Sequence, residues 1–119
     1  MTNPNLRYAN SIVGNTVYYA PTTNLGTALT NAAASNKVFK VNSIFCSNIT
    51  AATPADISVA IQRSGVDYYI ARNITVPGSS TLMIGTKETY VYLLEGDLIR
   101  ALASASSNLT LTISYEEIA

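Results

Sequence analysis

The sequence is short of charge before it is short of anything else. Only 12% of its 119 residues are charged, against about 25% in ordinary soluble domains. Seven basic residues balance seven acidic ones, for a formal net charge of zero. Binding a phosphate backbone needs a surplus of Lys and Arg, so nucleic acid is not an expected partner. Histidine is absent, which removes the commonest general base and the commonest transition-metal ligand. Cys46 is the single cysteine; it can form no intrachain disulfide and cannot alone hold zinc or an iron–sulfur cluster. Beside Ile44 and Phe45 it reads as a small buried hydrophobe in a strand rather than a reactive thiol. No apolar run approaches the ~20 residues that span a bilayer, so no membrane partner is expected. The opening Met1-Thr-Asn-Pro-Asn5 lacks the charged start and apolar block of a secretion signal, and the expectation is assembly in the cytoplasm where the chain is made.

The chemistry that remains is sparse. Neither a G-x-S-x-G elbow nor a phosphate-binding glycine loop occurs. Paired carboxylates for glycoside hydrolysis would have to come from Glu88, Glu95, Asp97, Glu116 and Glu117. Glu95 and Asp97 flank a turn glycine, where solvated acids are ordinary. Glu116 and Glu117 are adjacent near a strand end and point to opposite faces. The aspartates lack the dense spacing of a calcium loop. No catalytic, metal or cofactor residue is assigned, and a non-enzymatic chain is expected. Asn-x-Thr triplets at Asn48, Asn73 and Asn108 read as coincidence in a chain rich in Asn, Ser and Thr.

What is there is a hydrophobic share of 48%, enough for one globular core, arranged with period two. Residues 16–20, 25–31 and 37–49 are β-prone stretches separated by Pro21 and by a small-residue connection at 32–36. In 37–49, Phe39, Val41, Ser43 and Phe45 fall on one side and Val38, Lys40, Asn42, Ile44 and Cys46 on the other. Both sides are partly apolar, as in a strand covered twice or bent between sheets. Ile57, Val59 and Ile61 alternate with polar or small neighbours. Tyr68, Ile70, Arg72, Ile74 and Val76 share a face, as do Leu109, Leu111, Ile113 and Tyr115. Turn signals at Ser64-Gly65, Pro77-Gly78 and Gly96 punctuate the chain. About eight strands at near ten-residue spacing predict an all-β domain over 15–119, an antiparallel β-sandwich of jelly-roll type.

Residues 1–14 read as an N-terminal arm, punctuated by Asn3, Pro4, Asn5, Asn10 and Gly14. It carries more apolar material than a solvated tail needs. Leu6, Tyr8, Ile12, Val13, Val17, Tyr18 and Tyr19 are therefore the candidate contact residues for a neighbouring subunit. Tyrosine is over-represented at 8 residues, with no Trp and 2 Phe. It suits half-wet contact surfaces, because a stiff ring carries a polar tip. In the pairs Tyr18/Tyr19 and Tyr68/Tyr69, one ring of each is expected in the core and the other outside. Outward rings serve as subunit contacts or, alternatively, as stacking platforms of a carbohydrate-binding module.

Two stretches resemble a known pattern. Residues 31–48, with V-x-K-V-x-S-I-x-x-S-N from Val38 to Asn48, are similar to small β-sandwich virion proteins of tailed bacteriophages. The L-E-G-D-x-I-x-A hairpin from Leu94 to Ala101, followed by S-Y-E-E at Ser114–Glu117, recurs in such proteins, notably from phages of cyanobacteria. A related hairpin occurs in trimeric jelly rolls of the C1q and tumour-necrosis-factor type. The resemblance covers roughly residues 25–118. It implies a virion component, most often a head decoration (cement) protein that forms homotrimers and binds the major capsid protein, with a neck, tail or fibre-base location as the alternative. It transfers no catalytic residue.

Overall fold

Alternation leaves each strand one apolar side. Hiding that side from water, at about 25 cal/mol per Å2, requires a second sheet facing the first. In the computed structural model, which describes residues 9–119, nine strands satisfy this. They are β1 (Ile12–Tyr19), β2 (Gly26–Thr30), β3 (Val38–Asn48), β4 (Ala55–Arg63), β5 (Val66–Val76), β6 (Thr81–Gly85), β7 (Val91–Leu93), β8 (Leu98–Ala103) and β9 (Leu109–Ile118). One sheet runs β1-β9-β3-β6 with β7 also on β3; the other runs β2-β8-β4-β5. All pairings are antiparallel, and the two orders make a jelly-roll sandwich. Nine strands replace the expected eight because one edge position is shared. β7 pairs Phe39–Val41 and β6 pairs Ile44–Ser47 of the same long β3, with a 3-10 turn at Lys87–Thr89 between them.

The sandwich begins before the expected boundary at residue 15. Ile12, Val13 and Gly14 already pair with Ile118, Glu117 and Glu116, so they belong to the sandwich.

The two-sided apolar pattern of β3 has a simple cause. Val41 pairs Tyr115 and Ser43 pairs Ser114, leaving Asn42 as a bulge. A bulge shifts the alternation by one residue. Phe39 and Val41 face the core before it, and Ile44 and Cys46 after it; the expected grouping of Phe39, Val41, Ser43 and Phe45 on one face stops at Asn42. The rest of the core comes from the central strands: Ile57 and Val59, Ile99, and Leu109, Leu111, Ile113 and Tyr115.

The Leu94–Ala101 segment is not a hairpin. β7 lies in one sheet and β8 in the other, so Glu95-Gly96-Asp97 is an arch between layers, with Gly96 at φ 85, a conformation that favours glycine. The arch is a polar lock. Glu95 and Asp97, expected as solvated acids, are 1% and 2% exposed. Asp97 accepts from Leu94 N at 2.8 Å and from Arg63 Nη2 at 2.6 Å. Asn31, fully buried, completes it. Its backbone N donates to Asp97 O and its O accepts from Gly96 N. Its amide donates to Lys37 O at 2.9 Å and Leu93 O at 3.0 Å, and its Oδ1 accepts from Ser35 Oγ. Asn48 does the same at the other end of β3. Its amide donates to Thr53 O and Val76 O, and its Oδ1 accepts from Thr50 N and Oγ1. With both amide protons engaged and 3% exposure, Asn48 is no glycan acceptor in the folded chain.

Each lock satisfies several buried backbone groups, which are costly to leave unpaired. Asn31→Ala and Asn48→Ala should each lower unfolding free energy by about 2–4 kcal/mol, read as a reduced urea midpoint at unchanged slope. Cys46 offers a second check. It is 0% exposed, and burial pushes its thiol up to about 11. The folded state holds that proton more tightly than the unfolded chain, so stability is intact below pH 9 and declines as pH rises toward 11, by about 2–3 kcal/mol. Cys46→Ala should flatten that part of the pH–stability curve, and a thiol reagent at pH 8 should label the native protein only at its unfolding rate.

Candidate interaction surfaces

A jelly roll exposes the outer faces and edge strands of its sheets, and here these carry unusual apolar content. Among the described residues twelve large hydrophobic side chains are exposed. They gather in two main zones.

The first is β1. Tyr18 is 73% exposed, Ile12 62% and Val13 54%. Val17 and Tyr19 alternate with Ile12 and Tyr18 and pack against the core, so these two contact candidates serve the sandwich; Val13 lies on their side of the strand but is exposed at its start. The Tyr19 ring closes over Gly26, where an added Cβ would collide with the phenol oxygen. Leu6 and Tyr8 lie outside the described residues.

The second zone is the seam between β5 of one sheet and β6–β7 of the other. Tyr68, Ile70 and Ile74 on β5 and Tyr90 and Tyr92 opposite are exposed, while Met83, also exposed, pairs with Phe45 and alternates with the core-packed Leu82, so it lies on the outer face of its sheet. The seam holds a cavity of about 210 Å3, lined in part by Val41, Ile44, Ile70, Ile84 and Val91. A cleft of about 430 Å3 is bounded by Ile61, Arg63, Tyr68 and Tyr92. Tyr90 meets Tyr92 edge-on at 5.4 Å, and Lys40 Nζ sits 4.5 Å from the Tyr90 ring, which fixes the aromatic rim. The inside/outside expectation for adjacent tyrosines holds for Tyr18/Tyr19 and fails for Tyr68/Tyr69. Both of the latter are exposed, because β5 is the edge strand of its sheet. Sequence alternation alone gave no sign of that edge position.

The carboxylates are dispersed into structural roles. Glu117 pairs with Lys37 at 3.0 Å, Asp67 with Arg100 at 3.3 Å, and Asp97 with Arg63. Glu116 accepts from the Asn42 amide and Asp56 from Thr75. Glu116 and Glu117 thus serve different neighbours. Burial, then the nearby Glu117 charge, raises the Tyr115 pKa, in keeping with its core position. No group of three His, Cys, Asp or Glu suited to a metal occurs among the described residues. No helix among them is long and apolar enough to cross a membrane.

No family model and no curated protein matches the sequence. Among solved structures, the chain is similar in fold to a subunit from work described as "Bacillus endospore appendages form a novel family of disulfide-linked pili". That likeness has a TM-score of 0.53 at 14% identity and covers 91% of this chain and 88% of the other.

Proposed function

We propose that this chain is a non-enzymatic structural subunit of a virion, a head decoration protein that binds the major capsid protein and stabilises the shell. The observation that carries the reading is the pairing of twelve exposed large hydrophobics among the described residues with a chain of very low charge. Apolar patches of this kind mark protein contact surfaces, and zero net charge removes the repulsion that keeps proteins apart. Repeating one such contact over a shell would raise the cost of opening it by ordinary binding linkage. The virion assignment rests on the V-x-K-V-x-S-I and L-E-G-D motifs.

The fold neighbour is also a subunit of a polymer, which agrees with an assembly role. Its disulfide linkage does not carry over, since the only cysteine here is Cys46, fully buried in the core.

Quantifying the protein in purified particles tests the reading. A decoration protein should be present in proportion to the major capsid protein, and heads stripped of it should bind it back. Tyr68→Lys with Tyr92→Lys, both exposed on the rim of the cleft, should weaken rebinding by at least about tenfold. A few copies per particle would move the protein to the neck, tail or fibre base. Absence from particles would overturn the proposal.

A further inference from the structure

A sheet edge is a row of unpaired backbone groups that invites another strand, and proteins blunt it with short strands, bulges, Pro or charge. Most edges of this sandwich are blunted. β2 is five residues long, and Ala28 is skipped in its pairing with β8. β6 is five residues with Ile84 skipped, and β7 is three. β5 is long but irregular twice. Ile70 is skipped between Tyr69 and Ala71, and a further residue is accommodated at Arg72–Asn73, where Asn73 has φ 51.

β1 has none of these devices. Its eight residues run against β9 in unbroken register from Ile12↔Ile118 to Tyr19↔Leu111. They include no Pro and no charged residue. Its other edge pairs with no strand among the described residues.

We propose that β1 docks a second copy of this chain by antiparallel pairing with the same strand of that copy, on a two-fold axis through Asn15. An axis normal to the sheet permits only registers in which one residue meets itself, because paired residues must share a face. Centred on Asn15, the register sets Ile12 against the partner's Tyr18, Val13 against the partner's Val17 and Gly14 against the partner's Thr16. The two most exposed apolar side chains of the strand, Tyr18 and Ile12, then cover each other twice per dimer. Centring on Thr16 would instead set Tyr18 against Gly14 and carry Ile12 past the strand end. β1 brings no charge to the contact, so none is desolvated there. The five-stranded sheets of the two copies become one.

The pairing does not depend on which particle the chain builds. A contact confined to one strand a side falls below the ~1,200 Å2 of a standard interface, so the dimer should dissociate on dilution.

Sedimentation velocity over a concentration series of the full chain should show a monomer–dimer equilibrium. Ile12→Lys with Tyr18→Lys sets like charges opposite one another and should weaken the dimer by at least about tenfold. Ile12→Glu with Tyr18→Lys sets opposite charges in the same places and should restore it by a similar factor, in a salt-sensitive way. Both positions are exposed in the monomer, and circular dichroism reports whether the variants fold. Should they not, Asn15→Cys supplies the second measurement: at the two-fold centre it should oxidise to a covalent dimer, whereas Ile12→Cys should not. A wild-type monomer at every concentration, a trimer, or Glu/Lys and Lys/Lys variants of equal affinity would overturn the proposal. So would an Asn15→Cys protein that forms no cross-link. Failure of the wild-type chain to bind particles while it still dimerises would count against the virion reading alone.

Discussion

The fold depends on keeping backbone hydrogen bonds satisfied where the chain passes from one sheet to the other. A sandwich gains its stability by drying the space between its layers, and each crossing carries amide and carbonyl groups to the margin of that dry space. Asn31 and Asn48 stand at two such crossings, each joining three or more otherwise separate pieces of backbone. The Arg63–Asp97 pair closes the arch from the side. A charged pair with one member at the surface is a modest source of stability. Its value here is positional, because Asp97 also holds Leu94 N and so fixes the arch that Asn31 grips.

With the crossings fixed, the layout of the surface follows. The central strands β9, β3, β8 and β4 spend their apolar residues on the core. The outer strands have apolar residues left over, on β1 and along the seam beside β5. With 12% of the residues charged, those residues form an exposed apolar surface on the outer strands. The edges divide the work: bulged or short strands discourage pairing at three sides, and the regular β1 has no strand on its outer edge among the described residues.

The fold class was legible in the sequence because period-two alternation in Ile57–Ile61 and Leu109–Tyr115 has one physical solution, a face turned toward another sheet. Cys46 was legible for the same reason. Glu95 and Asp97 were misread because acids beside a turn glycine are usually solvated; the partner that buries Asp97, Arg63, is more than thirty residues away. The contact candidates divide in the same manner. Ile12, Val13 and Tyr18 lie on the surface where an interaction residue must lie, while Val17 and Tyr19 turn inward, a consequence of pairing with β9 at the far end of the chain.

By itself the sequence determined the all-β class, the approximate strands, the scarcity of charge and the lack of a histidine or cysteine set for catalysis. These follow from local alternation and from composition, which need no partner to be read. Tertiary structure alone decided the Asn42 bulge that reverses β3, the arch that replaces a hairpin at Gly96, the burial of Asp97, and which edge stays regular. All four depend on strands distant in sequence meeting in a particular register, and register is fixed by the whole packed sandwich rather than by any segment of it.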